Sequence, residues 1–258
     1  MKKLLFAVAC FVSLQSVKSQ TISPAPANDS TVATAAPLKT KKDWTKIDLS
    51  NRPNDHFMLQ FGMAGWSGGL PDSAKPSGFS RFFNAYVMLD KPFKTDPRFS
   101  VGLGVGVGSD NIFFSRKQVD LKSTSTRLPF TKLDSSNHFK KYKLTTIFAE
   151  APVELRYNTN PENSDKSFKV AIGAKVGTLL SAHTKGKTLV DKSGNTINSY
   201  IAKENNKKFI NSTRLAATAR IGYGIFSIYG SYQITTFLKD GTGPDIRPYT
   251  FGITISGL

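Results

Sequence analysis

Phe99-Ser-Val-Gly-Leu-Gly-Val-Gly-Val107 is apolar at every odd position and serine or glycine at every even one. Side chains of a strand point alternately to its two faces, so this segment has one greasy face and one nearly bare face. A period of two excludes an amphipathic helix here. Seven other segments carry the same period. They are expected at about 55–64 (Phe57, Leu59, Phe61, Met63), 81–90 (Phe83, Ala85, Val87, Leu89) and 143–157 (Ile147, Ala149, Ala151, Val153, Leu155). The rest fall at about 168–182 (Phe168, Val170, Ile172, Ala174, Val176), 213–222 (Leu215, Ala217, Ala219, Ile221), 225–237 (Phe226, Ile228, Tyr232, Ile234) and 248–256 (Tyr249, Phe251, Ile253, Ile255). Two of them are irregular. The second has Phe82, Tyr86 and Met88 on its other face, and the fourth contains Pro152, which cannot donate to a ladder and suggests a bulge.

The connections alternate in length. Those after the first, third, fifth and seventh strands are long, at about 65–80, 108–142, 183–212 and 238–247. Those after the second, fourth and sixth are short, at about 91–97, 158–167 and 223–224. Outer-membrane barrels alternate in this way, with long loops outside and short turns in the periplasm. Many of the strands also have the length needed to cross a bilayer at a tilt. The expected fold is all-β: an eight-stranded antiparallel up-and-down transmembrane β-barrel in the cell outer membrane. The alternative is a soluble lipocalin-type barrel, which has the same strand count but turns its apolar face inward.

The N-terminus supports export. Met1-Lys-Lys3, the apolar run Leu4–Leu14 and Val17-Lys-Ser19 have the layout of a secretory signal peptide, and the run is too short to span a bilayer. Cleavage is expected after Ser19. Residues 20–50, rich in Ala, Thr, Ser and Pro, are expected to form a disordered periplasmic tail, and 51–258 the barrel domain. Trp44 is a candidate interfacial anchor. The single cysteine, Cys10, lies in the leader, so the cleaved chain would have neither disulfide nor thiolate chemistry.

The net charge is +17, and the leader holds three lysines and no acid, which leaves +14 after cleavage. That balance favours anionic partners, here outer-membrane lipid and the phosphates of lipopolysaccharide. Many lysines lie in the long loops, including Lys117, Lys122, Lys140, Lys141, Lys185, Lys187, Lys203, Lys207 and Lys208. They gather on no helix or aromatic platform, so no nucleic acid is expected as a partner.

With the apolar set toward lipid, the alternate set faces the lumen. It includes Gln60, Glu150, Glu154, Arg156, Lys169, Lys175, Arg214, Arg220, Tyr229 and Gln233. Charges withdrawn from water must pair, and eight strands enclose only room for side chains. Glu150, Glu154, Arg156, Lys169, Lys175, Arg214 and Arg220 are therefore expected to form a lumen charge network, with Glu150 and Glu154 opposite Lys169, Lys175 or Arg220. The glycines at 102, 104, 106 and 108 would make room for long side chains from across the lumen.

Other chemistry leaves no motif. His56, His138 and His183 have no partner at metal-ligand spacing, and there is no Gly-x-Ser-x-Gly elbow. Asp55-His56 and His183, beside Ser181 and Thr184, are the only catalytic candidates. The 102–108 glycines lack the order and the following helix of a nucleotide loop. No cofactor, metal or enzymatic activity is expected.

Three stretches resemble the Bacteroidetes outer-membrane β-barrel proteins of the porin or PorT-like family. They are Asp48-Leu-Ser-Asn-Arg-Pro-Asn-Asp-His-Phe57, Glu150-Ala-Pro-Val-Glu-Leu-Arg-Tyr157 and Arg247-Pro-Tyr-Thr-Phe-Gly-Ile-Thr-Ile255. The resemblance implies a small barrel in a Gram-negative host; PorT itself is linked to a protein secretion and gliding system. The chain ends Ser256-Gly-Leu258, without the terminal aromatic read by the barrel insertion machinery, while Phe251 and Ile253 keep the alternation. The expected function is a structural, interaction or narrow-pore barrel. The alternatives are a component of a transport or protein secretion assembly, with periplasmic or secretion partners, and a lipid-modifying barrel enzyme.

Overall fold

The computed structural model describes residue 49, residues 57–133 and residues 137–257. The leader, Cys10, Trp44, His56 and the tail apart from Leu49 lie outside the described residues. Eleven strands are formed among those described: β1 (Phe57–Gly68), β2 (Arg81–Pro92), β3 (Phe99–Phe114), β4 (Lys117–Val119), β5 (Phe130–Lys132), β6 (His138–Asn158), β7 (Phe168–Val190), β8 (Thr196–Asn205), β9 (Thr213–Tyr223), β10 (Phe226–Gln233) and β11 (Ile246–Ser256). Eight of them close a ring. β1 pairs with β2, β2 with β3, β3 with β6, β6 with β7, β7 with β9, β9 with β10, β10 with β11, and β11 returns to β1. Every pairing is antiparallel. Closure leaves no strand edge facing hydrocarbon, which a membrane-spanning sheet requires.

The apolar residues of the opening stretch face outward: Leu103 is 51% exposed and Val105 66%. The same holds for Phe61, Val87, Val153, Ile172, Ile221, Ile228 and Phe251, so an exposed apolar band runs round the barrel. A soluble monomer does not expose a continuous band of this kind. The lipocalin alternative is therefore excluded, because its apolar face would be inside. In β2 the outward set is Phe83, Val87 and Leu89, while Phe82, Tyr86 and Met88 are buried. Tyr86 and Met88 pack with Met58 in a small apolar cluster inside the wall.

Several boundaries move, most of all at the long-loop end. β3 runs to Phe114, β6 begins at His138 and β7 runs to Val190, so parts of the expected loops are strand. Above the ring, β7 exchanges β9 for β8, which forms a hairpin with its upper half. β10 stops at Gln233, and the chain beyond it turns Phe237 inward, where it is 2% exposed. The bulge is not at Pro152, which stays in register with Lys175. It lies in β7, where Ile147 pairs with Ser181 and Phe148 with Leu179. Leu180 is the extra residue. The inward positions change there from odd (Lys175, Leu179) to even (Ala182, Thr184). At the short-turn end, Gly224 has φ 59° in the two-residue link between β9 and β10, which explains a glycine at that corner.

Val105→Arg places a charge in the middle of the apolar band. It is expected to destabilise the inserted barrel by about 2–4 kcal/mol, read from urea unfolding in phospholipid vesicles. An unchanged midpoint would contradict the outward assignment of β3.

Candidate functional site

The lumen is filled in three storeys. Nearest the short turns, Glu154 on β6 accepts hydrogen bonds from Arg156 Nε at 2.9 Å and from Arg220 Nη2 on β9 at 3.0 Å. Arg156 also reaches Asp90 on β2, 3.4 Å away. Arg220 Nη1 donates to Ser256 Oγ on β11 at 3.3 Å. This group joins four strands. Lys169 is buried toward the same end, in register with Asn158.

The middle storey centres on Glu150 of β6. Its Oε2 accepts from Tyr86 OH at 2.5 Å and from Lys175 Nζ at 3.0 Å, and its Oε1 from Arg214 Nη1 at 2.9 Å. Arg214 also pairs through Nη2 with Asp110 on β3. Its guanidinium lies 3.8 Å from the Phe148 ring centroid, which holds the flat group in one plane. Four ionised side chains thus tie β3, β6, β7 and β9 together, and Tyr86 adds β2. Each ionic group pairs two carboxylates with two cations, Asp90 and Glu154 with Arg156 and Arg220 in one and Asp110 and Glu150 with Lys175 and Arg214 in the other. Removing one member of a buried ion pair costs about 3–5 kcal/mol, because the abandoned charge stays buried.

The glycines of the opening stretch serve these groups, but on behalf of their neighbours. A Cβ at Gly102 would stand 2.5 Å from Arg156 Nε, and one at Gly108 would stand 2.7 Å from Glu150 Oε2. Both side chains come from β6, adjacent to β3, rather than from across the lumen. Gly106 faces the neighbouring backbone at Ala85 and Tyr86.

The third storey is apolar and closes the long-loop end. Trp66, Ile112, Phe114, Tyr142, Leu144 and Phe148 from the wall strands pack with Val119 of β4 and with Leu121, Leu128, Phe209, Ile210, Phe237 and Leu238 from the loops. Tyr142 OH donates to the Val119 carbonyl at 2.7 Å, and Leu128 N to the Thr242 carbonyl at 2.7 Å. Trp66 touches the rings of Phe114, Phe130 and Phe237. The spaces between cap and charges are small. One beside Asp110, Lys175 and Arg214 and one beneath Trp66 measure ≈ 10 Å³ each, about enough for a single water. Buried atoms such as Tyr229 Oη and Gln233 Oε1 have no protein partner, and such polar atoms are the kind a water satisfies. A hollow of ≈ 670 Å³ over Ala217, Ala219 and Gly230 lies on the outer wall and opens to lipid.

The expected network lacks Asp90, Asp110 and Tyr86, and periodicity carries no sign of the cap. Asp110 continues the even-numbered inward series past Gly108, a signal that reading a loop from 108 onward discards. In the cap, isolated apolar residues such as Leu121 and Phe209 sit among lysines without any period. His183 lies in register with Thr145 and Asn205 at the upper end of β7. No hydrogen bond joins it to Ser181, and its buried Nδ1 meets no carboxylate.

The family model described as "Outer membrane protein beta-barrel domain" matches residues 58–238. No curated protein matches the sequence. Among solved structures, this chain is similar to Ail, the attachment invasion locus protein of Yersinia pestis, in complex with the heparin analogue sucrose octasulfate. Identity is 11% over 78% of this chain and 94% of that one, with a TM-score of 0.29.

Glu150→Gln leaves Lys175 and Arg214 with only Asp110 to balance them. It is expected to lower unfolding stability by about 3–5 kcal/mol in vesicles. Gly102→Val drives a side chain into the Arg156 guanidinium and is expected to cost about 1–3 kcal/mol. Equal, near-zero effects of both would mean that the lumen groups are not packed as described.

Proposed function

The chain belongs to the outer membrane protein beta-barrel domain family and resides in the outer membrane, and from that premise we propose that it is a non-conducting interaction barrel. The observation that carries this reading is the lumen. Among the described residues, two ionic storeys and an apolar cap fill the lumen, and the gaps beside Arg214 and beneath Trp66 are water-sized. A solute path would have to separate Glu150 from Arg214 and Lys175 and also displace the cap. The parts available for recognition are therefore the rim, the loops and the β7–β8 hairpin.

A role in a protein secretion assembly is the second reading, and the PorT-like resemblance does not by itself carry it. The resembling stretch Glu150–Tyr157 supplies Glu150, Glu154 and Arg156 to the lumen. That likeness is accounted for by barrel packing without a secretion activity. The lipid-modifying enzyme is disfavoured by the surroundings of His183, where lysines replace the carboxylate that would orient a catalytic imidazole.

In planar bilayers the purified barrel is expected to give no steady conductance. Deleting 120–129 from the cap should leave it closed, because the ionic storeys remain. Combining that deletion with Glu150→Ala and Arg214→Ala should open it. Steady conductance by the unmodified chain would replace this reading with a pore, and hydrolysis of lipid lost on His183→Ala would replace it with an enzyme.

A further inference from the structure

Above the bulge at Leu180, β3, β6, β7 and β8 continue as a sheet beyond the closed ring. Its inner face packs on the cap through Ile112, Phe114, Leu144 and Ala182. Its outer face continues the lipid-facing side of the wall, and there the register places like charges side by side. Lys143 on β6 is directly opposite Lys185 on β7, and Lys185 is directly opposite Lys203 on β8. Directly opposed residues on one face have Cβ atoms about 4.5–5.5 Å apart, and like charges in that position destabilise a sheet. Among the described residues Lys185 and Lys203 form no ion pair, and no residue in register with these three on this face is acidic. Glu204 alternates to the opposite face, in register with the buried Thr184. Lys143 is anchored by donating to Asn111 Oδ1 at 2.6 Å. One strand further round, Arg81 on β2 is in register with Asn111 and extends the cationic row.

The height of the row identifies its occupant. Lys143 lies four residues beyond Ile147, about 13 Å along the strand at about 3.3 Å per residue. Ile147 is the last apolar outward residue of β6, and the exposed Leu180 and Val107 lie below the row. An anion carried on acyl chains would meet the lysines with its headgroup and the apolar band with its tails. A free anion would gain only the first.

We propose that the outer face of β3, β6, β7 and β8, just above the apolar band, binds the phosphate group of an outer-leaflet lipid, with Lys143, Lys185 and Lys203 as its cationic row. The bound phosphate neutralises the opposed lysines, which in its absence repel one another across the ladder. This site rests on reading the rim as the working surface, but its test is independent of conductance, since an open lumen would leave lipid retention unchanged.

The full-length barrel is placed in phosphatidylcholine nanodiscs doped with bisphosphorylated lipid A, isolated in detergent, and its retained lipid A is measured by mass spectrometry. Wild type is expected to enrich lipid A over the nanodisc average. Lys143→Gln/Lys185→Gln/Lys203→Gln is expected to lose about tenfold or more of that enrichment. Lys122→Gln/Lys192→Gln/Lys207→Gln removes the same charge from the loops and is expected to keep it. Equal loss in both variants, or loss in neither, overturns the site. Displacement of the lipid by an equal concentration of inorganic phosphate overturns the lipid as occupant. If the triple variant does not insert, Lys185→Gln alone is read instead, with about threefold loss expected and no loss overturning the site.

Discussion

Glu150 is held by three donors from three other strands, and the rest of the interior is arranged around that fact. An eight-stranded barrel has too little room for water to solvate a buried carboxylate fully, so protein groups must do it. Tyr86, Lys175 and Arg214 supply the donors, and Asp110 balances the second cation. The same constraint repeats four residues along β6 at Glu154. Because each ionic group draws on several strands, it also fixes their register. A slip of one residue would turn Glu150 toward lipid and leave its partners without a counter-charge.

The two halves of the lumen solve one packing problem with different materials. Below, charges are tolerable because their partners can be placed by a regular ladder. Above, the barrel mouth is filled by chain that leaves the ladder, and irregular backbone cannot aim ionic pairs so closely. Apolar side chains need only contact, not direction, and the cap is built from them. The bulge in β7 belongs to this transition. By exchanging inward for outward positions at Leu180, it brings Ala182 against the cap and His183 and Lys185 to the outer face. Without it, the lysine row would split between the two faces of the sheet.

The limits of sequence reading follow the same division. Within the ring, alternation was legible residue by residue, down to Glu150, Lys175 and Arg214 facing inward. Partner choice was less so. Arg214 comes to Glu150 because the tilt and stagger of a closed barrel bring β6 and β9 together, although β7 lies between them in the sheet. Asp110 falls in an expected loop because β3 outruns the segment whose alternation is purest. Leu121, Phe209 and Phe237 have no period at all, since they are placed by contacts distant in sequence.

Alternation marked the eight wall strands, because a pleated backbone writes its two faces into every second residue, and the alternating loop lengths turned that pattern into the expectation of an outer-membrane barrel. The tertiary structure decided which charges meet, that the mouth is sealed by an apolar cap, and that one extra residue in β7 aligns three lysines above the lipid band. Those outcomes depend on register, tilt and a single bulge, and each of these is set by the closure of the whole ring rather than by any one segment.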